Sequence, residues 1–286
     1  MAPYVLDEDG RGITVGGWRV RTRQAPIIGD AAVEAAARAL GGVLTVPEIL
    51  FGDSGLELVH AASGLALSFS ALDALRAWRS EDLPPLKVSV AQQWQAARRE
   101  EIARQQAVVL SYDWTYTTPY QGTLARGGGA DGGQQQQQPA LPRWRPTTRQ
   151  ADRGLLLSRD EPILFYAEVP LYESELDDNG SSQLVAKVRV MPRCWLLLLR
   201  FWLRVDGSLV RLRETRLFCR FDQPGSAGVV LRETKHCEGT VAQLRAAGAP
   251  VSPNAYTDGD AAAAVFSAIA PACLARYELH ELDMAG

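Results

Sequence analysis

The segment from Leu184 to Phe218 constrains the fold of this chain more strongly than any other. It reads LVAKVRVMPRCWLLLLRFWLRVDGSLVRLRETRLF: a strand, a Met-Pro break, a long apolar strand, an Asp-Gly pair and a returning strand. An Asp-Gly pair between such runs favours a tight hairpin turn. With Asp206 and Gly207 as the two loop residues, strand alternation predicts these pairs on one face: Val205 with Ser208, Leu203 with Val210, Phe201 with Leu212, Leu199 with Glu214, and Leu197 with Arg216.

The predicted face is apolar as far as Leu212 and becomes charged at Glu214 and Arg216. Two interpretations stay open at this point. The two charged residues either pair with each other at the rim of the core, or they contact another molecule. The neighbouring run from Cys194 to Val205 is interpreted as a central strand of a sheet, because it is too short for a membrane span and contains two arginines.

The rest of the chain predicts antiparallel strands in hairpins with helices between them. Strand patterns cover 12–23, 56–59, 65–69, 111–124 and 163–172, and helix patterns begin at Asp30, Ser70, Ser89, Thr240 and about Asp260. No strand-helix-strand rhythm repeats, so the predicted fold class is α+β: an antiparallel β-sheet core with hairpins and surrounding helices. We expect a single domain over 1–286, with a divergent helical part over 236–286.

One segment interrupts this pattern. Residues 126–139 read RGGGADGGQQQQQP, which is low in complexity and contains almost no apolar side chains. Such a segment cannot bury a core and is expected to be a disordered surface loop. Strand-forming sequence lies on both sides, so the segment is predicted to be an insertion within the domain.

Composition excludes several classes of function. The net charge is -3 and the pI is about 5.7, which gives no global reason to bind nucleic acid or an anionic membrane. The four cysteines form no C-x-x-C pair and are expected to be reduced core thiols. The acidic N-terminus lacks an apolar signal region, so a cytoplasmic or nuclear location is the simplest expectation.

The sequence carries no recognisable catalytic or metal-binding motif. The three histidines are scattered, and no zinc spacing, nucleophile elbow, phosphate-binding loop or dinucleotide fingerprint is present. We therefore expect no metal, no cofactor and no catalytic residues. Asp113, beside Trp114, is the one isolated acid in an aromatic setting, and it suits a turn cap as well as a catalytic role.

Several distinctive segments follow one another along the chain. They are PEILFGDSGLELVH from Pro47, ALDALRAW from Ala71, LKVSVAQQWQAAR from Leu86, YDWTYTTPYQGTL from Tyr112, Ile163 to Ser182, and KVRVMPRCWLLLLRFWLRVDGSLVRLRETRLF from Lys187. Together these segments resemble the TIPRL family, the TOR-signalling-pathway-regulator-like proteins, and the resemblance covers about residues 13 to 235.

The resemblance implies a non-enzymatic regulator with an α+β fold. Its implied partners are the catalytic subunits of type 2A, type 4 and type 6 serine/threonine phosphatases, whose C-terminal tail would enter a groove. It implies that the regulator restrains phosphatase activity, and it implies a link to TOR signalling. No nucleic-acid or membrane partner is implied.

The family's contact positions fall on four residues of this chain: Asp73, Ala151, Leu212 and Glu214. The charged end of the predicted strand face adds Arg216 to the same expected surface. In the implied contacts, Leu212 supplies apolar surface, Glu214 meets a basic or amide group, and Arg216 pairs with a carboxylate of the partner. Glu214 stands where the family pattern has Asp, and Ala151 stands where it has a bulky apolar residue. Asp73 also has a structural alternative, because it lies three residues after Ser70 and resembles part of a capping box.

Two other functions remain open on the sequence. One is a general protein-interaction scaffold without phosphatase binding, which the small residue at 151 makes conceivable. The other is an enzyme with an unrecognised site near Asp113, Glu214 and Arg216. A pocket that encloses these three residues would favour the enzyme, and a shallow open groove would favour binding.

Overall fold

Two antiparallel sheets build the fold. The computed structural model describes residues 3–40, 46–77, 79–80, 116–126, 140–176, 180–222, 228–269 and 275–284. The predicted helix from Ser89, Asp113 and the Gly/Gln-rich residues 127–139 lie outside the described residues. Within them the α+β prediction is confirmed, because long antiparallel strands dominate and the helices are short.

The first sheet has six strands. They are β1 Tyr4–Leu6, β2 Gly12–Val15, β3 Trp18–Arg23, β5 Gly55–His60, β6 Leu65–Ser70 and β9 Thr123–Arg126, in the order β1-β2-β3-β5-β6-β9. The predicted hairpin at 56–69 is confirmed as β5 and β6, which pair antiparallel. Every second residue of β3 is buried, namely Trp18, Val20 and Thr22, as its buried-exposed alternation shows.

The second sheet has eight strands. They are β4 Ile49–Leu50, β10 Arg145–Pro146, β11 Phe165–Ser174, β12 Gly180–Val190, β13 Cys194–Val205, β14 Leu209–Arg220, β15 Val229–Thr240 and β16 Ala275–Asp283, in the order β10-β16-β15-β14-β13-β12-β11-β4. A separate short pair joins β7 Arg79–Ser80 to β8 Tyr116–Thr117.

The described helices are short and lie at the ends and edges of the sheets. They are Asp30–Ala39, Ala71–Arg76, Arg153–Leu157, Val241–Ala246 and Gly259–Ala268, with a 3-10 turn at Pro253–Ala255. The predicted starts at Asp30, Ser70, Thr240 and Asp260 agree with these bounds to within a residue or two. Thr240 shows why: its hydroxyl accepts from the Gln243 amide while the Gln243 side chain accepts from the Thr240 amide.

The C-terminal part differs from the helical expectation for 236–286. It contains the C-terminal end of strand β15 and two helices. It ends in β16, which pairs with β15 along nine residues. Its sequence ARYELHELD alternates apolar and polar side chains, a strand signal that the sequence analysis overlooked.

The central hairpin forms, but the predicted register is wrong by one residue. The loop has three residues, 206–208, and the Ser208 amide donates to the Val205 carbonyl at 3.0 Å. Ser208 therefore pairs with no strand residue of β13, and Val205 faces Leu209 instead. Because side chains alternate, this single-residue shift exchanges the two faces of β13 relative to β14. The observed pairs near the charged positions are Trp202 with Leu212, Arg200 with Glu214, and Leu198 with Arg216.

The two sheets pack face to face through one apolar core. Trp195, Leu197 and Leu199 of β13 belong to the same buried cluster as Trp18 and Leu58 of the six-stranded sheet. The rings of Trp18 and Trp195 meet edge to face with centroids 5.1 Å apart. We call the side of the eight-stranded sheet that faces this core the inner face, and the opposite side the outer face.

The outer face is covered at both ends and open between them. At one end Trp202, Leu212 and Cys237 are buried beneath the helices Val241–Ala246 and Gly259–Ala268. At the other end Phe218 and neighbouring apolar residues pack against Leu155 of the helix Arg153–Leu157. The intervening side chains of β12 to β16 form a band that crosses the strands.

Candidate binding site on the outer face

The open band between the two covered ends is the candidate binding site. We call it the outer strip and define it by Lys187, Leu198, Arg200, Glu214, Arg216, Glu233, Lys235 and Tyr277, which strand pairing places side by side across β12 to β16. Five strands at ~4.8 Å spacing give it a length of roughly 19 Å. An extended peptide of about six residues spans that distance.

Glu214 is buried at the centre of the strip. Its side chain is 1 % exposed, and its Oε1 accepts from Arg200 Nε at 2.9 Å and from Arg200 Nη2 at 2.6 Å. Its Oε2 accepts from Arg216 Nη2 at 2.5 Å. The pairing of Glu214 with Arg216 that the sequence analysis left open is therefore present. Since both carboxylate oxygens are occupied, Glu214 orients two guanidinium groups and offers little surface to a partner.

Arg200 also fastens a helix to the strip. Its Nη1 donates to Asp260, which lies in the first turn of the helix Gly259–Ala268. That hydrogen bond lowers the pKa of Asp260 although partial burial acts in the opposite direction. Gly259 lies so close that a Cβ there would stand 2.6 Å from Arg200 Cδ, so the approach of helix to sheet requires glycine. The wall of the strip is thus held by the same arginine that holds Glu214.

Among the strip's own charged residues the partly exposed ones are basic, and neighbouring carboxylates offset one of them. The Arg216 side chain is 35 % exposed, whereas Glu214 and Glu233 are buried. Lys187 is 21 % exposed and pairs with Glu168 and Asp260, whose side chains are 43 % and 71 % exposed, so its charge is offset. Lys235 is half-buried and lies directly opposite Glu214 on β15. A buried acid with an exposed base presents positive charge to a partner while the network remains balanced internally. The strip therefore suits an extended segment that carries carboxylates.

Leu212 and Ala151 lie on the two long sides of the strip, where the covered ends of the outer face begin. Leu212 is 0 % exposed beneath the helices, so it supports the strip from below. Ala151 is half-buried, and its amide donates to Glu233 Oε1 at 3.2 Å. Its neighbours in the chain, Gln150 and Asp152, line a cavity of about 360 Å³ together with Arg149, Phe218, Arg220, Val229 and Leu231. Ala151 itself packs against the apolar cluster around Leu155 and Phe218.

Asp73 lies away from the strip. Its carboxylate accepts from Arg76 at 2.8 Å and from the Thr123 hydroxyl at 3.0 Å, and the Tyr120 hydroxyl also meets Thr123. Tyr120 lines a small cavity with Leu199, Phe201, Arg213 and Thr215, which belong to the inner face. The structure therefore brings Leu212, Glu214, Arg216 and Ala151 to one side of the eight-stranded sheet and Asp73 to the other.

The capping-box resemblance at Asp73 is half confirmed. The Asp73 amide donates to the Ser70 hydroxyl at 3.2 Å, as a capped helix requires. The reciprocal bond is absent, because the Ser70 amide donates to the Tyr120 hydroxyl instead. The Asp73 side chain is thereby free to hold Arg76 and Thr123.

Two residues of this site escaped the sequence analysis. Arg200 entered it only as an argument against a membrane span, and Asp260 only as a helix start. An arginine inside an apolar strand is a usable signal, because a buried guanidinium needs a carboxylate nearby. Finding that carboxylate sixty residues further along the chain needed the fold.

Within the described ranges, no cluster of three histidine, cysteine or acidic side chains could hold a metal ion. No described helix is both long and apolar enough to cross a membrane. Glu214 and Arg216 line none of the cavities described here. Arg216 is partly exposed, and Glu214 is buried.

Comparison with known proteins finds a matching family and several relatives. The model of the TIP41-like family matches residues 49–245, a range that contains the outer strip except Tyr277. A TIP41-like protein of Arabidopsis thaliana is 42 % identical over 257 residues, covering 89 % of this chain and 86 % of the relative. A TIP41-like protein of Homo sapiens is 37 % identical over 258 residues, covering 90 % and 86 %. A Saccharomyces cerevisiae protein named type 2A phosphatase activator TIP41 is 31 % identical over 251 residues, covering 81 % and 64 %.

Proposed function

The chain belongs to the TIP41-like family, and from that membership we propose that it is a non-enzymatic regulator that binds the catalytic subunit of type 2A-like serine/threonine phosphatases. The name of the Saccharomyces cerevisiae relative, type 2A phosphatase activator TIP41, supports regulation of a type 2A phosphatase. The outer strip supports binding over catalysis, because its central carboxylate is buried, is neutralised by two arginines and lines none of the cavities described above.

The single observation that carries the proposal is the arrangement of Arg216 on Glu214. A buried carboxylate fixes one edge of the guanidinium and leaves the rest 35 % exposed in the middle of a strip of peptide length. A guanidinium held in this way is pre-oriented to bind a carboxylate of a partner, since little side-chain freedom is left to lose.

The five residues take different parts in this proposal. Arg216 is the direct contact, and Glu214 positions it. Leu212 supports the strip from the apolar cluster beneath the two helices on one side, and the small side chain of Ala151 would leave room for the partner on the other side. Asp73 joins the same interface only where the partner extends around the edge of both sheets, which a folded catalytic subunit is large enough to do.

We further propose which part of the phosphatase binds, which subunits are partners and how binding changes phosphatase activity. The outer strip would take the C-terminal tail of the subunit, because a tail is extended and ends in a carboxylate. The partners would include the type 4 and type 6 subunits as well as type 2A. Binding would restrain phosphatase activity, in signalling linked to TOR.

The test is capture of a purified type 2A catalytic subunit by the full chain and by Arg216→Gln. The neutral variant should bind at least tenfold more weakly, or ~1.4 kcal/mol, with a nearly unchanged melting temperature. Arg38→Gln is the matched control, because Arg38 is a well-exposed arginine paired with Glu34 on a peripheral helix. Equal binding by the Arg216 variant and the wild type would place the interface elsewhere.

A subunit that lacks its C-terminal tail separates the tail from the rest of the interface. If the tail occupies the strip, the truncated subunit should bind wild type and Arg216→Gln alike. Dephosphorylation of a phosphopeptide, measured with and without the chain, decides the effect: lower activity supports restraint, and higher activity contradicts it. Failure to capture any type 2A-like subunit would favour the general scaffold.

A further inference from the structure

A second arrangement of charged and aromatic side chains lies on the inner face, at the edge formed by β10, β16 and β15. The Arg232 guanidinium stacks on the Trp144 ring, with Cζ 4.1 Å from the ring centroid. Strand pairing places His280 directly opposite Arg232. These three residues belong to the other side of the sheet from the outer strip, so this arrangement is separate from the proposed phosphatase interface.

Arg232 differs from its neighbours in having no anionic partner. Within the described residues it forms no hydrogen bond or ion pair, and its Nε is buried without an acceptor. By contrast, Arg200, Arg211 and Arg220 of the same sheet each meet a carboxylate. Burial lowers the pKa of the Arg232 guanidinium to about 10, and the nearby Glu278 opposes this only in part. Desolvating a charge without pairing it costs free energy, so a missing anion is the simplest complement.

His280 adds a second unused polar atom beside Arg232. Its Nδ1 is buried and has no hydrogen-bond partner within the described residues. Arg276 lies four residues before His280 on β16, on the same face of the sheet. It is exposed and adds a second positive charge to this edge. Glu278 is the acid whose charge acts on Arg232. Glu278 is exposed.

We propose that Trp144, Arg232 and His280 form a binding site for the carboxylate of an acidic peptide segment. The indole fixes the plane of the guanidinium, and the terminal nitrogens are left to bind a planar two-oxygen anion. A monoanionic carboxylate fits better than a phosphate dianion, because one arginine carries the charge and Glu278 lies close by. The three residues line none of the cavities described above, so an exposed side chain of a polypeptide fits better than an enclosed small molecule.

The test uses the full chain and two capped tetrapeptides, tetra-glutamate and tetra-glutamine, in a calorimetric titration at low salt. Wild type should bind tetra-glutamate at least tenfold more tightly than tetra-glutamine. Arg232→Gln should remove that preference. Its melting temperature should stay unchanged, since no ion pair is lost. Arg276→Gln removes the same charge from the same face and should weaken binding less than threefold.

Two further variants test the roles of the planar guanidinium and of the indole ring separately. Arg232→Lys retains the charge but lacks the planar fork, and it should bind several-fold more weakly than wild type even if Arg232→Gln fails to fold. Trp144→Leu should lie between wild type and Arg232→Gln. No preference for tetra-glutamate, or equal losses in the variants at 232 and 276, overturns the site. Stronger competition by inorganic phosphate than by acetate would overturn the choice of carboxylate.

Discussion

At the scale of single residues, Glu214 shows how burial changes the role of a charged side chain from direct contact to the positioning of other groups. The sequence places it where an apolar face gives way to charge, which is compatible with direct contact. The structure buries it to 1 % exposure between two arginines. A residue in that position affects binding through the groups that it orients, so its substitution alters both stability and affinity.

We predict that Glu214→Gln destabilises the fold. Removing one partner of a buried ion pair costs ~3–5 kcal/mol, and the lower end is expected because Arg200 keeps Asp260. Chemical denaturation measures the change. Glu34→Gln, in an exposed pair on a peripheral helix, should change stability by less than ~0.5 kcal/mol.

The double variant Arg200→Met with Glu214→Leu tests whether the charges of this ion pair, or only the space that the two side chains fill, stabilise the fold. Apolar side chains of similar volume replace a buried ion pair at little cost, so much of the stability lost in Glu214→Gln should return. Phosphatase capture should stay weak in the double variant, because Arg216 has lost the carboxylate that positions it. A double variant less stable than Glu214→Gln would show that the charge itself holds the strip together.

At the scale of elements, the central hairpin determines which residues share the outer face. Its loop holds three residues and not two, and Gly207 has a φ of +69°. The Asp-Gly pair identified the turn, but the pair alone does not distinguish a two-residue loop from a three-residue loop. One residue in the loop moved Glu214 from opposite Leu199 to opposite Arg200.

We predict that Gly207→Val destabilises the chain by at least ~1 kcal/mol, the scale of a strained backbone position. A Cβ at Gly207 would meet no neighbouring atom within 4 Å, so the cost comes from the left-handed backbone alone. Gly207→Asn is the matched variant, because asparagine tolerates this region better than valine does. It should cost clearly less. Equal costs for the two variants would point to something other than backbone conformation.

At the scale of the whole molecule, local patterns predicted elements better than they predicted their partners. The sequence placed a helix start at Thr240, and the structure explains it locally: both halves of the capping box, Thr240 and Gln243, lie in one short segment. The bond between Arg200 and Asp260 joins residues sixty positions apart, and the packing of Tyr120 against the inner face depends on both sheets. Such contacts follow from topology, which an apolar-polar pattern constrains only weakly.

The placement of Asp73 illustrates the same limit. Family resemblance grouped it with Leu212 and Glu214, and no local signal could separate them. The separation follows from strand alternation in β14 combined with the position of the Tyr120 loop, so it required the register of two sheets.

The last prediction concerns the contact between the two sheets. Trp18 is 0 % exposed and meets Trp195 across the core, so Trp18→Ala should cost ~3–5 kcal/mol, as large-to-small changes in cores do. For a chain of this size we expect a fall in melting temperature of about 10 °C. Tyr277→Ala, at a side chain 55 % exposed on the outer strip, should leave the melting temperature nearly unchanged.

Calorimetry of Trp18→Ala also tests the expected single domain. Because one buried cluster contains residues of both sheets, a cavity at Trp18 should weaken them together and shift one cooperative transition as a whole. Two separate transitions, with only one displaced by the substitution, would mean that the sheets unfold independently. The outer strip would then depend on the eight-stranded sheet and its helices alone, and phosphatase capture by Trp18→Ala should persist above the first transition.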